Sequence, residues 1–143
     1  MLKGISPILS PEMLKVLCEM GHGDCIVLGD GNFPAASMGK NATVLRCDGH
    51  SCAELLDAIL QLFPLDPYVE KPVALMQIVP GDNVDPVIWK DYERVIKENE
   101  GEKEIEYIER FAFYERAKQS YCIVATGESA LYANIILKKG VVK

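Results

Sequence analysis

Apolar positions along the chain alternate between helical and strand spacing from one end to the other. Met13, Val16, Leu17 and Met20 recur at helical intervals behind Ser10-Pro11-Glu12, which offers an N-cap, a proline at the first helical position and an acid in the first turn. Gly21 ends this predicted helix. The short apolar run from Cys25 to Leu28 predicts a buried strand, and Ala42 to Arg46 a second one after a loop containing Pro34. Ser51-Cys52-Ala53-Glu54 is a capping box; Leu55, Leu56, Ile59, Leu60 and Phe63 then form the buried stripe of a helix that runs until Pro64. Val73 to Val79 is almost continuously apolar, the pattern of a strand covered on both faces. Asp85-Pro86 opens another helix, with Ile88, Trp89, Tyr92, Val95 and Ile96 on one side and Asn99-Glu100-Gly101 as its stop. The rest predicts a strand at Ile105 to Ile108, a short helix at Phe111 to Lys118, and strands at Tyr121 to Ala125 and Asn134 to Leu137.

Strands alternating with helices predict a three-layer α/β domain. With no internal repeat, low-complexity tract or separating linker, residues 1–143 are expected to form one unit. The last two strands are joined by too few residues for a parallel crossover helix. The sheet is therefore expected to be mixed and mostly parallel, which disfavours a wholly parallel Rossmann sheet.

Composition narrows the function. At 143 residues and 49% hydrophobic, the chain can bury about two-thirds of its unfolded surface without a metal or disulfide staple. A net charge of -6, without a run of five or more like charges, gives no footprint for nucleic acid. No apolar stretch approaches the roughly 18 residues of a membrane span, and the start lacks a long apolar leader core, so a cytoplasmic enzyme or binding module is expected. Cys18, Cys25, Cys47, Cys52 and Cys122 form no C-x-x-C pair and read as reduced thiols. Cys47-Asp48-Gly49-His50-Ser51-Cys52 lacks the second ligand pair of a zinc site; it reads as a turn into a helix, with His50 solvated.

Gly21 to Pro34 carries the most promising chemistry. A glycine-flanked histidine, His22, enters the first strand, and Asp30 leaves it, so rigid elements position two titratable groups. The glycines follow a helix and precede a strand, the reverse of a dinucleotide-binding fingerprint, and neither a P-loop nor a G-x-S-x-G elbow occurs. His22 suits proton transfer to and from a sugar or carbonyl oxygen; equally, it can satisfy carbonyls at the end of the preceding helix. Asp30 can bind a ligand or cap its turn. Asp24 can fix the loop or orient His22. Arg110 can give several donors to a polyhydroxylated ligand or join a surface ion pair. Tyr132 can meet a sugar or cover the sheet edge, whereas the helical phase of Trp89 favours packing.

Together these pieces resemble a known family. Met20-Gly21-His22-Gly23-Asp24, Asp30-Gly31-Asn32-Phe33-Pro34, Arg110 to Ala117, Thr126-Gly127-Glu128 and Tyr132 to Gly140 are similar, in the same order, to the fucose mutarotase branch of a superfamily shared with ribose pyranase. The resemblance runs from Leu2 to Val141 and implies interconversion of the α and β anomers of L-fucose without metal or cofactor. It implies His22 as proton donor, with Asp30, Arg110, Tyr132, Ala133 and Asn134 binding sugar hydroxyls. Arg110 and the stretch after it match the fucose branch, where the ribose branch usually has histidine; Gly31 and Ala133 depart from the commonest fucose pattern. The resemblance further implies a homo-oligomer, including decameric rings, with sites completed near subunit contacts. The alternatives are a ribose pyranase and a non-catalytic monosaccharide-binding module.

Overall fold

The computed structural model describes all 143 residues, Met1–Lys143. Ser10 caps α1 (Pro11–Glu19) by accepting from the Met13 amide at 3.1 Å. Strand β1 (Cys25–Gly29) follows, then a short α2 (Ala35–Met38) that apolar spacing alone did not reveal, and β2 (Thr43–Cys47). Ser51 caps α3 (Cys52–Leu60) through the Glu54 amide, as the capping box predicts, although the helix ends before Pro64. Strand β3 (Val73–Met76) is shorter than its apolar run. Gln77 still donates to the Ile108 carbonyl at 2.8 Å, after which the chain turns through Pro80.

Helix α4 (Ile88–Glu100) starts later than Asp85-Pro86 predicts: Val87 occupies the cap position, and no side chain caps the helix. Gly101 ends it with φ 76°, a conformation that favours glycine. Strand β4 (Ile105–Ile108), helix α5 (Arg110–Lys118) and strands β5 (Cys122–Thr126) and β6 (Ile135–Lys138) complete the chain within a residue or so of expectation.

The six strands form one sheet in the order β2-β5-β1-β6-β3-β4. Only β6 runs against the others, so the sheet is mixed and mostly parallel. The short β5 to β6 connection does not make a hairpin: β1 lies between them. Along β1, Ile26 and Leu28 face the larger core with α1, α3 and α4, whereas Val27 faces Ala35, Phe113 and Ala117 from α2 and α5. Side-chain alternation thus fills both outer layers from one strand. All 5 cysteines are free. Burial pushes the thiols of Cys52 and Cys122 up to about 11 and about 12, which keeps both protonated and unreactive.

This topology gives the sheet two chemically different edges. Residues after β1, β3, β4 and β5 converge with those before the antiparallel β6 on the carboxyl edge, where open α/β sheets bind ligands. Residues before β1 and β3 meet the end of β6 on the opposite edge.

Candidate active site

At the carboxyl edge, Asp30, Arg110, Tyr132 and Asn134 line a cavity of about 340 Å³. Phe33, Met76, Val79 and Leu131 give it an apolar wall. Gly29 is required for this wall: a Cβ there would lie 2.8 Å from Phe33, closer than two carbons tolerate. A larger cavity of about 710 Å³ opens between Asp24, Lys71 and Arg116, but Arg116 is already held by Glu106 through two contacts of 2.8 and 3.0 Å. The smaller cavity is the better candidate because it lies at the carboxyl edge and gathers Asp30, Arg110, Tyr132 and Asn134.

Asn134, just before β6, fixes Asp30, just after β1: its Oδ1 accepts from the Asp30 amide at 2.8 Å. The Asp30 carboxylate in turn accepts from the Asn32 amide at 3.0 Å, so it does cap its turn while also facing the cavity. Burial pushes the Asp30 carboxyl above its ordinary range, although the surrounding amides oppose the shift. Arg110 joins none of the ion pairs and packs over the exposed Phe111 ring, 4.6 Å from its centroid. A guanidinium free of carboxylates retains its donors for a ligand.

Tyr132 has φ 58°, the one non-glycine residue with positive φ. Such a conformation costs about 1–3 kcal/mol and persists only where its surroundings over-determine it. Here Trp89 Nε1 donates to the Tyr132 carbonyl at 2.8 Å, and the Tyr92 hydroxyl donates to the Ala133 carbonyl at 2.5 Å. Trp89 therefore braces the site as well as packing. Ala133 is fully buried, so its contribution to the site is through the backbone.

His22 is absent from this cavity. It sits on the opposite edge, and the five residues of β1 between it and Asp30, at about 3.3 Å each, already span roughly 16 Å. Its loop is pinned by the Asp24 carboxylate, which accepts from the Gly21 amide at 2.7 Å, and by Gly23 donating to the Lys139 carbonyl at 2.8 Å. Asp24 thus fixes the loop. The carbonyls of Leu17 and Met20 are taken by the Lys139 ammonium, so His22 does not cap α1. Instead its Nε2 meets Asp66 Oδ1 at 2.9 Å, its ring lies 5.3 Å from that of Tyr68, and its side chain is 44% exposed. With Nε2 directed at a carboxylate, Nδ1 is the nitrogen left to face a ligand.

A protein-family model described as the RbsD / FucU transport protein family matches residues 3–142. The chain belongs to that family. No helix is long and apolar enough to cross a membrane. The chain is 55% identical to the L-fucose mutarotase of Actinobacillus pleuropneumoniae serotype 5b (strain L20), covering 99% of this chain and 97% of that one. It also resembles the crystal structure of FucU from Bifidobacterium longum, with TM-score 0.96 and 61% identity over 99% of this chain and 100% of the other. The fucose mutarotase of Streptococcus pneumoniae, solved in complex with L-fucose, matches with TM-score 0.94 and 52% identity over 99% and 100% of the two chains.

For this RbsD / FucU family member, spacing missed two side chains that meet the expected site residues. Asp66 is only 3% exposed; although desolvation opposes it, the Tyr68 amide and the His22 ring hold its carboxyl below the usual range. Asp82 accepts from the Tyr132 hydroxyl. Each lies in a loop with no periodicity, 44 and 50 residues from its partner. The only sequence signals were an acid after Pro64-Leu65 and a Pro80-Gly81-Asp82 turn.

Proposed function

We propose that this protein interconverts the α and β anomers of L-fucose by acid–base opening and closure of the hemiacetal. A base removes the proton of the anomeric hydroxyl while His22 protonates the ring oxygen; rotation about the exposed carbonyl carbon and reclosure give the other anomer. Arg110, Asp30 and Asn134 hold sugar hydroxyls. The apolar wall of Phe33, Met76 and Leu131 suits the methyl carbon of a 6-deoxy sugar, which a ribose lacks. The single observation that carries this reading is the carboxyl-edge cavity, where an unpaired guanidinium and a buried carboxylate face an apolar wall. The fucose mutarotase relatives support the same substrate.

The catalytic unit on this reading is a homo-oligomer in which the His22 edge of one copy completes the carboxyl-edge cavity of the next, and the separation of His22 from that cavity supports it. A ring such as a decamer satisfies this arrangement, because a head-to-tail contact closes only by rotation. The half-exposed imidazole, backed by a buried carboxylate, supports a histidine presented to a neighbour. We place the enzyme in the cytoplasm, on its free thiols and acidic surface. Anomer-exchange NMR over L-fucose and D-ribose tests the assignment. Faster exchange on fucose supports it; exchange on ribose alone makes the protein a pyranase, and binding without exchange makes it a sugar-binding module.

A further inference from the structure

The turn after β3 builds a device around the Tyr132 phenol. Val79-Pro80-Gly81-Asp82 closes through the Asp82 amide donating to the Val79 carbonyl at 3.0 Å, with Gly81 at φ 95°. Proline at the second position and a positive φ at the third are the pattern of a type II turn, so Asp82 is fixed by its own local sequence. From one end of the turn, the Val79 amide donates to Tyr132 Oη at 3.1 Å; from the other, Asp82 Oδ2 accepts the phenolic proton. The phenol's donor and one lone pair are therefore occupied. What remains toward the cavity is an acceptor.

We propose that Asp82 is the terminal proton acceptor of the reaction and draws the proton of the anomeric hydroxyl through Tyr132. This rests on the mutarotase reading above. As the sugar O1–H bond breaks, its proton passes to Tyr132 Oη and the phenolic proton passes to Asp82 Oδ2. The O1 electron pair forms the C1=O bond, the C1–O5 bond breaks, and O5 takes a proton from the protonated His22. Tyr132 ends neutral, Asp82 becomes a carboxylic acid, and His22 becomes neutral imidazole. Reclosure on the other face of C1 returns both protons. Nothing is oxidised or reduced.

Asp30, Asp82 and Arg110 are the charged groups lining this cavity. Asp30 is less suited to the relay, because none of its hydrogen bonds reaches the Tyr132 phenol, whereas Asp82 accepts directly from it. Hydrogen bonding to Asp82 raises the Tyr132 phenol above its ordinary range, so the resting tyrosine keeps the proton that the relay requires. Asp82 itself touches Tyr132 rather than the sugar and is a positioning residue that also stores a proton.

The test compares Asp82→Asn, Asp82→Glu, Tyr132→Phe and the Asp82→Asn/Tyr132→Phe double variant by saturation transfer between the anomeric protons of L-fucose. Circular dichroism checks that each is folded. Asparagine retains an oxygen that accepts from the phenol but cannot store its proton. Exchange at saturating fucose should fall roughly a hundred-fold, the low end for general acid–base groups, with fucose affinity unchanged. Tyr132→Phe should fall similarly, the double variant no further, and Asp82→Glu should recover part of the rate. Wild-type exchange in Asp82→Asn, a loss that merely follows affinity, or multiplied losses in the double variant would overturn the relay. If wild type does not exchange fucose anomers, the mutarotase reading falls and the relay with it.

Discussion

Replacing Arg110 by alanine should separate binding from folding. The guanidinium belongs to no ion pair, and its visible intramolecular partner is the Phe111 ring, itself 61% exposed. An exposed cation–π contact is worth about 0.5–1 kcal/mol, and that bounds the expected loss of stability. The cap of α5 is untouched, because Glu109 accepts the Phe111 and Ala112 amides independently of residue 110. If Arg110 holds sugar hydroxyls as proposed, by contrast, alanine removes hydrogen bonds from a charged donor, each worth about 1.5–3 kcal/mol. One such bond lowers exchange at limiting fucose by roughly ten- to a hundred-fold. Saturation transfer gives the rate directly, and a thermal melt of the same sample gives the stability. Arg110→His, the ribose-branch residue, should lower exchange on fucose more than on ribose. Unchanged fucose exchange in Arg110→Ala, or a melt that collapses along with activity, would refute the role assigned to this residue.

His22→Ala should lower exchange by about 10²–10⁴-fold while leaving the circular dichroism spectrum unchanged, since a half-exposed loop histidine fills little core. Asp66→Asn should lower the rate at saturating fucose while sparing fucose affinity, because it disturbs the imidazole and not the cavity; unchanged exchange would detach Asp66 from the mechanism. Asp30→Asn should weaken fucose binding yet stabilise the fold near neutral pH. Burial raises the folded-state value of Asp30 above the ordinary 3.8, so its favourable contribution is present below that value and lost as pH rises through the folded one. The variant should therefore melt higher than wild type at neutral pH, with the advantage shrinking as pH falls through the raised folded-state value and gone below the ordinary one. An advantage that grows in acid would contradict this assignment.

Local chemistry made most of the architecture legible. Ser10-Pro11 and Ser51 to Glu54 specify helix starts through their own side chains, and those caps form as the sequence implies. Helix α2 was hidden because it has only four residues and buries only Ala35. The start of α4 was displaced because Asp85 does not act as a cap. The position of β6 between β1 and β3 depends on pairing across the whole chain, which no local pattern encodes. At the site, Asp30, Arg110, Tyr132 and Asn134 were identified from motifs and do meet in one cavity. That His22 lies on the other edge follows from strand direction, since a residue entering β1 and one leaving it must be a strand length apart. Asp66 and Asp82 meet partners distant in sequence, and their loops carried no signal of that pairing.

Mixing two impaired variants tests the shared site most directly. His22→Ala retains the carboxyl-edge cavity, and Arg110→Ala retains the histidine edge. Unfolded together in equal amounts and refolded, they should assemble at random. If each site draws His22 from one copy and Arg110 from another, roughly one quarter of sites regain both residues, and fucose exchange should recover to about that fraction of wild type. A mixture no more active than the average of its two parents would contradict a site built from two copies.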